Sequence, residues 1–383
     1  MIRLHRFPIT CYPFHPCRGF AAGWLLMLLM LLGAPVAAQT GPAKLVRDDE
    51  RINRIQSVAR LAGTAESARD YSGIVDSCQS ILDEAGLQPG HRQYLTRLQA
   101  WALNRRAETR MELAEQFEAA GNSPQADQVR TSARADLDQA IAADPEKWQA
   151  WRNRAMMQTV AQAWPAAIAD WTRVIELRTD HPESRVAHFN RAELYLANRQ
   201  FEPALADYRQ VLEADNADRG ALNGCGNCLL ALGQPVAAIE YYDRILQAEP
   251  ENPGALVNRG DAWYHQGRWE NAELDYRASF ASQESGRTRQ RLAWLLATCP
   301  DEEIRDPAEA LESARQAIAL DGESAEYLNT LAAAFAAGQD FDRARDVQTR
   351  AIALMETADE GYAVRQTMYE NNRIFLQPDE DQQ

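Results

Sequence analysis

The sequence predicts an all-α fold, a solenoid of stacked helical hairpins, and three observations predict it. The second half repeats itself: residues 219–252 read RGALNGCGNCLLALGQPVAAIEYYDRILQAEPEN, and residues 253–285 follow as PGALVNRGDAWYHQGRWENAELDYRASFASQES. Within each block a small residue (Gly226, Gly260) is followed twelve positions later by Ala238 or Ala272, and four further on by Tyr242 or Tyr276. The same alanine recurs at Ala167, Ala204, Ala238, Ala272, Ala310 and Ala344, with spacings of 37, 34, 34, 38 and 34. A fixed period of this length marks a repeat architecture, which presents an extended surface rather than a catalytic pocket.

Residues 1–38 differ from the rest. Arg3, Arg6 and Arg18 precede an apolar run over 21–32, and Gly33-Ala34-Pro35 leads into Val36-Ala37-Ala38. A basic start, a short apolar core and a small-residue cleavage site are the marks of a secretory signal peptide. The run falls short of the roughly 20 residues a membrane helix needs. Cleavage after Ala38 is expected, giving a periplasmic or secreted protein; the alternative is an uncleaved N-terminal membrane anchor. No Cys follows closely enough for lipid attachment.

Residues 39–145 form an N-terminal helical region. Gln39 to Ala43 is expected to be a disordered linker. Asp70-Tyr71 opens a helix through Ile74, Cys78 and Leu82, stopped by Gly86 and Pro89-Gly90. A long helix from Arg92 to Ala120 follows; Asn122-Ser123-Pro124 then turns the chain into a helix ending at Ala143. These are lengthened or degenerate versions of the repeat hairpin.

Residues 146–286 hold four regular units. The third carries Gly226, Leu229, Gly233, Ala238, Tyr242 and Pro250. The others supply Trp151, Ala155, Trp164, Ala167 and Trp171; Ala192, Tyr195, Phe201, Ala204 and Tyr208; and Gly260, Trp263, Gly267, Trp269, Ala272 and Tyr276. This pattern resembles the tetratricopeptide repeat (TPR), W-x2-L-G-x2-Y, then A-x3-F, then P. The resemblance covers residues 146–357 and implies a right-handed α-α solenoid. Each unit is two helices with a Gly or polar turn, and small residues let them approach to roughly 8–10 Å. The sequence departs from the family with Asn-Arg-small triplets at Asn153-Arg154-Ala155, Asn190-Arg191-Ala192 and Asn258-Arg259-Gly260, echoed by Asn104-Arg105-Arg106-Ala107. The Asn is expected to bridge neighbouring helices while the Arg stem lies along the surface.

Residues 287–357 make two further units, the first with an inserted loop carrying Pro300 and Pro307. Asp306-Pro307 has the form of a helix cap followed by Pro at the first helical position. These units resemble the closing units of exported bacterial TPR proteins. Residues 358–383 are a capping helix over 362–376, with Tyr369, Ile374 and Phe375 on its buried side, and a frayed acidic tail from Pro378.

Charge and motifs exclude most chemistry. The net charge of −15 becomes −18 once the three arginines of residues 1–38 are removed, which disfavours nucleic acid and anionic lipid. Cys225 and Cys228 are the one pair at metal or redox spacing, but two more zinc ligands are lacking nearby. They are buried thiols or a structural disulfide, which a regular helix would strain. His188 holds a packing position, His181 lies in a loop, and no HExxH, G-x-S-x-G or P-loop is present. No cofactor, no metal and no enzymatic activity are expected.

The resemblance implies that the fifth, ninth, twelfth and thirteenth residues of each first helix line a concave partner-binding groove. In this sequence they are Arg152 and Met156; Phe189 and Glu193; Asn223 and Asn227; and Val257, Asp261, Tyr264 and His265. Only Arg152 and Asn227 echo a carboxylate clamp, and Glu193 and Asp261 oppose one. The expected function is an exported, non-catalytic scaffold that holds a protein or peptide partner in the groove. The alternative is a self-associating structural or assembly factor of the cell envelope.

Overall fold

The structure is a computed structural model that describes residues 42–179, 181–355 and 357–377. The signal peptide and the acidic tail from Pro378 lie outside the described residues. Every regular element among them is a helix, and the chain divides into two compact units, one ending at Asn198 and one beginning at Arg199.

The first unit contains α1 (Pro42–Thr64), α2 (Ala68–Leu82), α3 (Pro89–Ala119), α4 (Ser123–Ala143), α5 (Trp148–Val160), α6 (Trp164–Leu177) and α7 (Pro182–Ala197). The expected linker over 39–43 is corrected at its end: Pro42 and Ala43 already belong to α1. Proline is pre-set for a first helical turn, where its missing N–H is not needed. Pro89 acts likewise, starting α3 rather than only ending what precedes it. Ser67 caps α2 by a reciprocal capping box with Asp70. That contact, with the Ser67 hydroxyl first among its causes, holds the Asp70 carboxyl below its usual range.

The long α3 and α4 form the broadest hairpin of this unit. Arg106 donates to both carboxylate oxygens of Asp136 at 2.9 and 2.6 Å, and Arg110 pairs with the same carboxylate. Tyr71, Ile74, Cys78, Ile81, Leu95, Leu103 and Leu137 form the core. Further along, Trp171 of α6 fills a second core with Ala155, Ala167, Val174, Ala187 and Leu194.

The second unit runs through α8 (Phe201–Ala214), α9 (Arg219–Ala231), α10 (Pro235–Ala248), α11 (Pro253–His265), α12 (Trp269–Ser282), α13 (Gly286–Thr298), α14 (Pro307–Asp321), α15 (Ala325–Ala337), α16 (Phe341–Ala353) and α17 (Glu360–Glu370). The six recurring alanines are all fully buried. Asp306 caps α14, accepting from the backbone N–H groups of Ala308 and Glu309 at 2.9 Å.

Hairpins turn through one left-handed residue: Gly233 and Gly267 with φ of 72° and 69°, but also Gln162 and Gln339 with φ of 57° and 61°. The closing bond spans the turn, as Gln234 N–H donates to Leu229 O at 2.9 Å, the Schellman arrangement.

The last helix is shorter than expected. It ends at Glu370, and Asn372 takes φ 54°. Tyr369 is buried on α17 as expected, but Ile374 and Phe375 lie beyond the helix on an irregular segment. Asparagine tolerates the left-handed region better than other side-chain-bearing residues, so the Asn371-Asn372 pair is a natural stop.

Candidate functional site: the first-helix face

In the second unit the first helices α9, α11, α13 and α15 neighbour one another in order. Polar side chains join them. Asn258 Nδ2 donates to Asn223 Oδ1 at 2.8 Å, so the expected inter-repeat asparagine bridge is present here. In the first unit Asn153 Nδ2 likewise donates to Asn104 Oδ1 and Glu108 Oε1, both at 2.9 Å. Asn190 differs, donating to Val186 O within its own helix. Arg291 stands between Asp261 of α11 at 3.2 Å and Glu326 of α15 at 3.1 Å.

In two of the three triplets the arginine is not a surface stem, and in the third, Arg191 donates to Thr172 Oγ1 at 2.8 Å. Arg259 donates through Nε and Nη2 to both oxygens of Asp275, at 2.8 and 2.7 Å, and through Nη1 to Asp243 at 2.7 Å. Arg154 repeats this with Asp170 at 2.7 and 2.8 Å and Asp138 at 2.8 Å. Each guanidinium ties the second helices of two successive hairpins to the first helix between them, and the Asp hydrogen bonds hold both guanidiniums firmly charged.

Several residues expected to read a partner are engaged internally. Asn227 Oδ1 accepts from Tyr242 Oη at 2.8 Å, and Asp261 Oδ1 accepts from Tyr276 Oη at 2.7 Å. Burial raises both tyrosine hydroxyls well above their ordinary pKa, keeping them protonated donors. Asn223 accepts the Asn258 bridge described above. Val257 is 5% exposed and Tyr264 9%, and in the first unit Phe189 is 6% exposed, so these three are core residues at the edge of the face. Arg152 pairs with Glu183 at 3.0 Å and lies over the Trp148 ring. Met156 is half-buried against the Trp171 core, and Glu193 is partly exposed. His265 is exposed, edge-on to Tyr264 at 5.8 Å. No disulfide joins Cys225 and Cys228: they are buried thiols one turn apart on α9, and burial pushes the Cys225 thiol up to about 12. His181 caps α7, its Nδ1 accepting from Glu183 N–H at 3.1 Å.

The face continues onto α13, which sequence reasoning missed. Counting from Gly286, Gln290, Trp294 and Thr298 hold the fifth, ninth and thirteenth places, and Asn329 holds the fifth of α15. The 38-residue step from Ala272 to Ala310 hid this register, although Ala293 at the eighth place was a readable marker. Trp294 Nε1 donates to Tyr264 Oη at 2.8 Å. The chain's own C-terminal segment lies here: Phe375 stands 5.9 Å from Trp294 ring to ring, and Gln377 N–H donates to Thr298 O at 2.8 Å. Arg365 of α17 donates to Asn329 Oδ1 at 2.8 Å. Its guanidinium lies 5.0, 5.4 and 5.5 Å from the rings of Tyr362, Phe375 and Trp294. Burial lowers its pKa, which is compatible with cation–π contact in a desolvated place.

Among the described residues no group of three or more His, Cys, Asp or Glu could hold a metal ion, and no helix is long and apolar enough to cross a membrane.

Comparison with known proteins agrees with this geometry. The tetratricopeptide repeat profile matches residues 130–182, 189–253, 226–285 and 302–362, more than half of the chain. A tetratricopeptide repeat protein from Parabacteroides merdae is similar in structure, with a TM-score of 0.54 and 17% identity, covering 69% of this chain and 99% of that one. PilW, a type IV pilus biogenesis factor, matches with a TM-score of 0.46 and 19% identity over 59% of this chain and 98% of its own. Human superkiller complex protein 3 is 27% identical over 109 residues, which is 28% of this chain and only 7% of that protein. Hairpins of matched length, the buried alanine of every unit and the profile match agree: the chain belongs to the tetratricopeptide repeat family.

Proposed function

We propose that this protein is an exported, non-catalytic scaffold that binds a protein or peptide partner along the first-helix face. Tetratricopeptide repeats generally mediate protein–protein interaction, and the fold is a typical non-catalytic one. The observation that carries the reading is the row of first helices in the second unit, where Asn223, Asn227, Asp261, His265 and Trp294 are side by side in register. Internal hydrogen bonds fix the first three, so the face is pre-organised, which lowers the ordering cost of binding. His265, exposed on this face, is then the residue offered to a partner. Export rests on the sequence of residues 1–38.

A crosslinked pull-down from the native envelope fraction tests the reading. One stoichiometric partner is expected, and a folded His265→Ala chain should lose it. Retention by that variant would remove the face from the account. N-terminal sequencing of the recovered protein tests export. A first residue of Gln39 is expected, whereas Met1 would mean an uncleaved anchor.

A further inference from the structure

We propose that the surface around Trp294 is a docking site for a non-helical partner segment carrying an aromatic side chain, and that the chain's own residues 373–377 occupy it until such a segment displaces them. The inference rests on the first-helix face being the partner surface and adds what that surface takes at its C-terminal end.

The segment behaves as a ligand. Residues 373–377 have no regular secondary structure, yet residues 374–377 are all partly buried. They lie against the ninth and thirteenth positions of a first helix, the places the face offers a partner in the regular units. The contact at Thr298 has a physical cause. The last carbonyls of an α-helix lack intrahelical donors, and Thr298 is the final residue of α13 and fully buried. The Gln377 N–H satisfies its carbonyl at 2.8 Å. Two residues earlier, Phe375 supplies a ring to Trp294 and to the Arg365 guanidinium.

The platform does not depend on the segment that covers it. Trp294 is oriented by its hydrogen bond to Tyr264, and Arg365 by its hydrogen bond to Asn329. The helix that carries the segment has anchors of its own, buried Tyr369 and Gln348 Nε2 donating to Tyr362 O at 3.0 Å, while Ile374 and Phe375 pack onto the outside of the core that holds Tyr369. Between anchor and segment stands Asn372 with φ 54°, the left-handed residue of the turn that closes α17. The segment can therefore leave while α17 stays.

The geometry also states what an incoming segment needs: a backbone free of helix, an aromatic side chain, and two residues later a backbone N–H. Proline at that last place would abolish the contact, since it has no N–H to give.

The test uses the full chain carrying Phe375→Ala and, as probe, a fluorescein-labelled peptide with the sequence of residues 371–377, followed by anisotropy. A segment held in cis through a short tether experiences a local concentration on the order of 1 mM, so the titration must reach that range. The substituted chain should bind the peptide saturably and roughly tenfold more tightly than the unsubstituted chain. Peptides with Ala for Phe375 or Pro for Gln377 should not bind. If Phe375→Ala unfolds the chain, hydrogen exchange on the unsubstituted chain decides: excess peptide should speed exchange over residues 371–377. A folded variant that binds no better, or exchange that peptide leaves unchanged, overturns the proposal. So does a concentration-dependent dimer abolished by Phe375→Ala, which would make the occupant a second copy. Should peptide binding fail while a partner is still lost with His265, only this inference falls; should both fail, the scaffold reading falls with it.

Discussion

At the scale of single residues, tyrosine rings stand hard against glycines in the second unit. A Cβ on Gly226 would stand 2.5 Å from the Tyr242 ring, one on Gly260 2.6 Å from Tyr276, and one on Gly224 2.4 Å from Tyr208. Real Cβ contacts are never so close, and these rings are fully buried with no room to retreat. Gly226→Ala is therefore expected to lower stability by about 1–3 kcal/mol, the usual range for overpacking a core, read from urea unfolding. The close approach also lets the Tyr242 hydroxyl reach Asn227. Tyr242→Phe should lose about 1 kcal/mol, leaving Asn227 Oδ1 without that donor. The turn residues point the other way. Gln339 has φ 61°, a conformation that glycine adopts without a Cβ penalty. Gln339→Gly should raise the urea midpoint, by about 1 kcal/mol in stability, whereas a drop would show that its side chain contributes more than the backbone strain removes.

At the scale of elements, the arginine clamp joins hairpins. The Asn-Arg-small triplet is plain in the sequence, yet a surface stem is the wrong expectation for its arginine. Asp138 and Asp170 lie sixteen residues on either side of Arg154, and Asp243 and Asp275 sixteen on either side of Arg259. That symmetry is legible only once the pitch of two successive second helices is known, because no local helical spacing brings such residues together. Asp275 is 8% exposed at its side chain, so Arg259→Ala would strand a mostly buried carboxylate. A loss of about 3 kcal/mol is expected, and Arg259→Met with Asp275→Leu should recover much of it. A double variant no better than the single one would mean that the pair contributes through packing alone. By contrast, the recurring alanines, the hairpin turns and the Asp306 cap followed from local periodicity and cap chemistry. The groove residues were half legible: Asn223, Asn227 and Asp261 are on the predicted face, but their side chains are engaged by Asn258, Tyr242 and Tyr276. Only the tertiary structure reveals such partners. Trp294 escaped because the inserted loop over 299–306 broke the repeat spacing.

At the scale of the whole molecule, buried acids with raised pKa set a common response to alkali. Burial pushes Cys78, Cys225 and Tyr264 up to about 12 and raises Tyr242 and Tyr276 well above the ordinary tyrosine value. In the unfolded chain thiols ionise near about 8.5 and tyrosines near about 10. Above those values the folded state holds protons that the unfolded state has released, so stability falls as pH rises. The stabilisation is complete below about pH 8.5 and is lost between there and about 12. The urea midpoint should stay flat from about pH 6 to 8 and decline above about 9; a flat profile to about 12 would contradict the burial of these groups. The central claim concerns function: the first-helix face, and not the rest of the surface, meets a partner. A photocrosslinking residue at His265, compared with one at Leu274, tests it most directly, because Leu274 is 67% exposed on a second helix. With the full chain in its native host, the account predicts one distinct protein crosslinked from position 265 and absent from position 274. Equal crosslinking from both positions, or adducts to the chain itself alone, would contradict it.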